Sequence, residues 1–129
     1  MGYFYSKRLK VSFQEAEDKV RSALLDVGFG VLTEINIKDA FKEKLGINHK
    51  NYKILGACNP KLAHKAINNE INIGILMPCN IVIIDNEDET TEVVFPKAEA
   101  LLDITSNSNI IKLSKDVDLI LEEAFNNIN

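Results

Sequence analysis

The chain has 129 residues, 46% of them hydrophobic and 26% charged, with a net charge of −4. That composition fits one ordinary globular domain over residues 1–129, large enough to bury a core without disulfides or metals. The acidic balance argues against nucleic acid as a partner, and no apolar run approaches the roughly 20 residues that cross a bilayer, so no membrane partner is expected. The first residues lack the charged start and long apolar block of a signal peptide, so a cytoplasmic, reducing location is expected. There a Cys58–Cys79 disulfide would not serve as a structural staple.

Taken in chain order, Tyr3 to Val11 alternates as a first strand, with Tyr3, Tyr5, Leu9 and Val11 on one face. Ser12 and Glu15 have the spacing of a capping box. Phe13, Ala16, Val20, Leu24 and Val27 then recur at helical spacing up to Gly28, a left-handed stop. Glu15–Lys19 and Glu17–Arg21 are expected to support the exposed side of that helix. Val31, Thr33, Ile35 and Ile37 form a second alternating strand, followed by a short helix from Lys38 to Leu45 that ends at Gly46. Tyr52 to Cys58 reads as a third strand. Asn59 is a good N-cap and Pro60 a good first residue for a helix reaching about Asn69. Cys79–Asp85 and Thr90–Phe95 flank Asn86-Glu87-Asp88-Glu89 as a hairpin. From about Asn109, Ile110, Leu113, Val117, Ile120, Leu121, Ala124 and Ile128 line one stripe of a closing helix. The order βαβαβα, hairpin, helix predicts an α+β sandwich in one domain, with a mixed or mostly antiparallel sheet covered by helices.

Charge is unevenly spread. Seven lysines lie between Lys38 and Lys65 against two acids, and seven acids between Asp85 and Asp103 against Lys97. A solvated surface accounts for most such runs. The other reading is that the basic stretch attracts an anionic small molecule or steadies a thiolate.

Both cysteines fall in Cys-Asn pairs, Cys58-Asn59 and Cys79-Asn80. Cys58 immediately precedes a helix N-cap, where unpaired amides and the helix dipole favour a thiolate, with Lys53 or Lys61 adding to the field. The simpler reading is that Cys58 packs against Ala63 as the small half of a hydrophobic staple. His64, one turn into the same helix, would complete a Cys–His pair as the minimal activated nucleophile. Alternatively it sits on an exposed face with Lys61, Lys65 and Asn68. Cys79 opens a strand beside Ile81 and Ile83, where burial would raise its pKa. Glu34 is a carboxylate in mid-strand. It is either on the wet face or, if covered, in need of Lys53 or a ligand. His49 has no companion at useful spacing. Cys58, Cys79 and His64 are one ligand short of a closed zinc site, and Glu34 or a residue of a second subunit would have to supply it. No metal and no cofactor is expected. Walker, dinucleotide and serine-hydrolase motifs are absent.

The blocks Gly28-Phe29-Gly30-Val31-Leu32-Thr33-Glu34-Ile35, Tyr52-Lys53-Ile54-Leu55-Gly56-Ala57-Cys58-Asn59-Pro60 with Ala63-His64-Lys65-Ala66, and Leu76-Met77-Pro78-Cys79-Asn80 resemble the signature of the prokaryotic DUF302 family, a domain of unknown function. The resemblance implies a compact α+β domain that self-associates, as a dimer in the simplest case, and it implies no reaction. It marks Glu34, Lys53, Cys58, Asn59, Pro60, His64, Cys79 and Asn80 as recurrent positions. The expected function is a pocket around Cys58, His64, Cys79 and Glu34. Cys58 and His64 are its candidate catalytic groups, and Glu34, Lys53, Asn59, Cys79 and Asn80 its ligand-binding groups. Such a pocket would bind a small, anionic ligand or carry out thiol-based redox or sulfur chemistry. The alternative is a non-enzymatic homo-oligomeric module in which the motif is structural.

Overall fold

The computed structural model describes residues 2–129. Five strands form one sheet: β1 (Phe4–Leu9), β2 (Gly30–Asn36), β3 (Tyr52–Cys58), β4 (Cys79–Asp85) and β5 (Thr91–Pro96). Their spatial order is β1-β5-β4-β3-β2 and every neighbouring pair is antiparallel. The helices are α1 (Phe13–Asp26), α2 (Ile37–Leu45), α3 (Pro60–Asn69), α4 (Ala98–Leu102) and α5 (Ser108–Asn126), with short 3₁₀ turns at Ile71–Leu76 and Asp103–Thr105. The fold is therefore the expected α+β domain, with the sheet antiparallel throughout. The sequence reading contained neither α4 nor the 3₁₀ turns, whose five, six and three residues are too short for a helical period to register.

Local chemistry explains where the elements begin and end. The Ser12 hydroxyl accepts the Glu15 amide at 3.1 Å, while the Glu15 carboxylate turns to Lys19 at 4.0 Å, so the capping box is half formed. At the other end of α1, Gly28 has φ +87°. The Gly28 amide reaches Leu25 O and the Phe29 amide reaches Leu24 O, the paired bonds of a Schellman stop. Gly46 closes α2 at φ +67°. Asn36, Asn59 and Asn107 each cap the helix that follows through the side-chain oxygen.

The main core lies between the sheet and α1 and α5, where Leu24, Leu55, Ile81, Ile83, Val93, Phe95 and Leu121 are fully buried. Register places one row across the middle of this core-facing side: Lys53, Ile83, Val93 and Lys7. Each flanking lysine is satisfied. Lys53 donates to Glu17 on α1 at 2.7 Å. Lys7 donates to the carbonyls of Phe125 and Ile128 at 2.7 and 2.8 Å, capping the end of α5, and lies over the Phe125 ring. The opposite face carries the row Ile35, Ile54, Val82 and Val94, all half-buried or exposed.

Candidate functional site

The two Cys-Asn blocks are neighbours in the sheet. Ala57 pairs with Cys79 and Gly56 with Asn80 across β3 and β4. Pro78, after a cis peptide bond, lies over Gly56 together with Thr33 of β2. A Cβ on Gly56 would meet the Thr33 hydroxyl and stand 2.6 Å from the Pro78 ring, so only glycine admits this contact. Ala57 is buried in the core. Asn59 Oδ1 accepts the Leu62 amide at 3.1 Å as the cap of α3, and its Nδ2 lies against the left-handed Gly28, tying the start of α3 to the end of α1. Packing and capping thus account for Gly56, Ala57, Asn59 and Pro60.

What remains of the motif opens onto a cavity of about 450 Å³ at the end of the sheet where β1 begins, β3 and β5 end and β4 begins. Cys58, Asn59, Cys79 and Asn80 line it, so four of the seven expected site residues converge. Leu62 and Ala66 of α3, Ile73 of the 3₁₀ turn, Leu102 of α4 and Ile110 of α5 close the apolar wall. Among the described residues, no Asp, Glu, Lys, Arg or His belongs to the lining. This volume is within the range of small-molecule sites, which are mostly apolar with a few polar groups.

The electrostatics reverse the expectation for Cys58. Burial pushes its thiol above the ordinary value. Burial, the neighbouring Cys58 and the Asp118 carboxylate together push Cys79 up to about 11. The reason is local. The Leu62 amide at the start of α3 is taken by Asn59 Oδ1 and the Ala63 amide by the Asn59 carbonyl, so neither is left for a thiolate. Lys53 is turned away to Glu17. Both cysteines are free, and near neutral pH both are thiols.

Three expected residues lie elsewhere. His64 is exposed on α3, its Nε2 3.3 Å from the Asn68 amide, and is not part of the cavity lining, so the Cys58–His64 pair is not formed. Its position, four residues before Asn68, turns it to the solvated face of the helix. Lys53 and Glu34 belong to an ion network on the helix-covered side of the sheet. Glu17, 5% exposed, accepts from Lys53 at 2.7 Å and from Arg21 at 2.9 Å. Arg21 also pairs with the half-exposed Glu34, which stands 3.7 Å from Lys53. The Glu17–Arg21 pair is therefore part of the core boundary rather than of the exposed side of α1. Burial alone would raise the Glu17 carboxyl, but hydrogen bonds from Lys53 and Arg21 and their charges outweigh it and hold it below the ordinary range.

Sequence reasoning missed Glu17 as a partner for Lys53, although the signal was present: Phe13, Ala16, Glu17, Val20 and Leu24 follow the i, i+3, i+4, i+7 spacing of the buried stripe. It also missed the apolar walls, whose residues carry no pattern that separates a cavity lining from a core.

Comparison with known proteins comes to the same architecture. A search of curated proteins gives no match. A crystal structure of an uncharacterized conserved protein, DUF302, from Bacillus stearothermophilus superposes with a TM-score of 0.91 at 22% identity, each chain covered in full, and so shares the fold. The family described as "Domain of unknown function DUF302" matches over residues 5–128, nearly the whole chain, and this protein belongs to that family.

Proposed function

We propose that this protein is a binding domain for a small, uncharged and largely apolar molecule held in the cavity at the end of the sheet. The observation that carries this reading is the lining itself: a space of about 450 Å³ with apolar walls, two asparagines, two neutral thiols and no ionised group. An anion would lose its hydration there and gain no cation in return, which costs several kcal/mol. The anionic ligand expected from the lysine-rich stretch is thus disfavoured, and a thiolate nucleophile has no supporting field. An apolar ligand instead exchanges water for packed walls at about 25 cal/mol per Å² of buried surface.

Titration with Nile red, a neutral polarity-sensitive dye, tests the reading. Saturable fluorescence enhancement is expected with the native protein. Ala63→Phe, which fills a half-buried position of the lining, should weaken binding at least about tenfold while the thermal midpoint holds. Absence of saturable binding to the native protein would sink the proposal.

Self-association is a second reading, and it rests on the open face of the sheet. The row Ile35, Ile54, Val82 and Val94 presents a contiguous apolar strip there, with the exposed Phe4 at the start of β1; Val82, Val94 and Phe4 are shared with the cavity lining. A dimer by light scattering is expected, reduced to monomer by Ile54→Lys, which lies outside the cavity lining. A native protein that stays monomeric at high concentration overturns this reading.

A further inference from the structure

The cavity lining is divided in a way that narrows the ligand beyond "small and apolar". At the strand-end wall stand two carboxamides with unused hydrogen-bonding capacity. Asn59 spends its oxygen on the Leu62 amide, and its Nδ2 makes no hydrogen bond among the described residues. The Asn80 side chain makes none at all among them. Asn59 is half-buried and Asn80 exposed at the edge of the lining. Each offers N–H groups to an uncharged oxygen, and a ligand that displaced their water without accepting from them would lose free energy.

From the same cavity the apolar wall continues outward to its mouth. Ile75, Tyr3 and Leu101 belong to the lining yet are 86%, 64% and 43% exposed. Leu76 and Phe4 of the same lining are exposed as well. A rim of large apolar side chains around an apolar cavity marks a surface that is covered when the site is filled. A compact ligand that fits wholly inside would leave this rim in water. An elongated one would cover it with the rest of its chain.

Building on the binding reading above, we infer that the ligand is an aliphatic amphipath with an uncharged oxygen-bearing head, an amide or an alcohol. The head accepts from Asn59 and Asn80, and the chain runs along the α3 and α4 walls toward Ile75 and Leu101. Head charge is the selective feature. A carboxylate would be brought into a lining with no cation, and an ammonium group would find only Asp118, which is outside the lining and already accepts the Ala98 and Glu99 amides.

Displacement of Nile red by four molecules that share one dodecyl chain tests this: dodecanamide, dodecanol, dodecanoate and dodecylammonium. The amide and the alcohol should displace the dye near neutral pH, with the two ions weaker by more than about tenfold. Dodecanoate should recover as the pH falls toward the ordinary carboxyl value of about 4.3, where it becomes neutral, and dodecylammonium should not. Asn80→Leu should weaken dodecanamide about two- to tenfold relative to dodecanol, each measured against the variant's own Nile red affinity. Equal displacement by all four molecules overturns the inference, as does dye binding that no dodecyl compound competes with. Both results leave the general binding reading standing. Failure of the dye itself to bind removes the binding reading.

Discussion

At the residue scale, the two thiols decide what chemistry this chain offers. Cys58 sits one residue ahead of a helix cap, a place that favours thiolate only when the first amides of the helix remain free. Here the Asn59 side chain and carbonyl take the Leu62 and Ala63 amides, and burial dominates what remains. The consequence is measurable as the pH dependence of iodoacetamide alkylation, with circular dichroism confirming that the protein stays folded. Cys58 in a Cys79→Ser variant and Cys79 in a Cys58→Ser variant should both titrate above the free-thiol value of about 8.5. Either thiol reacting with a midpoint below about 8 would show that the α3 N-terminus lowers its pKa after all. Gly56 illustrates a different constraint at the same scale. Its missing side chain is what lets Thr33 and Pro78 close over β3, and so holds the Cys79-Asn80 block beside the Cys58-Asn59 block.

Between elements, charged side chains hold the layers together as much as apolar ones do. Lys7 reaches from β1 to the last carbonyls of α5, and Asp118 on α5 accepts the Ala98 and Glu99 amides at the start of α4. Glu17 joins α1 to β3 through Lys53 and to the edge strand β2 through Arg21 and Glu34. Without the Glu17 charge, Arg21 keeps Glu34, but the largely buried Lys53 retains only Glu34 at 3.7 Å. Glu17→Gln should therefore cost about 3 kcal/mol near neutral pH. The Glu17 carboxyl is held below its ordinary value when folded, so its contribution is complete above the unfolded value of about 4.3. It is lost as the pH falls through the lower folded value. Urea midpoints of native and Glu17→Gln proteins should therefore be far apart at neutral pH and converge in strong acid. A gap that persists unchanged at low pH would mean that the substitution acts through packing and not through charge.

For the whole molecule, what was legible in the sequence follows from periodicity and caps. The strand and helix order through α3, the hairpin β4–β5 and the stripe of α5 each follow from side chains a few residues apart on the same element. So do the Asn59 cap and the Gly28 and Gly46 stops, because the backbone conformation they impose is local. The Gly-Ala-Cys-Asn-Pro and Pro-Cys-Asn blocks lie together at the end of the sheet where the cavity opens. Sequence alone could not say that β1 joins β5, which brings Tyr3 and Phe4 to the cavity from the far end of the chain. Nor could it say that Lys53 and Glu34 face the helices. One step of strand register moves a side chain to the other side of the sheet, and that register is fixed only when all five strands are packed. His64 and Cys58 lie six residues apart yet face different surroundings, since the turn of α3 sends one to solvent and the strand end sends the other to the cavity. The sequence by itself determined the five strands, helices α1, α2, α3 and α5, the Asn59 cap, the two glycine stops and the family. Tertiary structure decided which chemical groups share a space, because charge pairing and the desolvation of a thiol depend on neighbours that are distant in the chain.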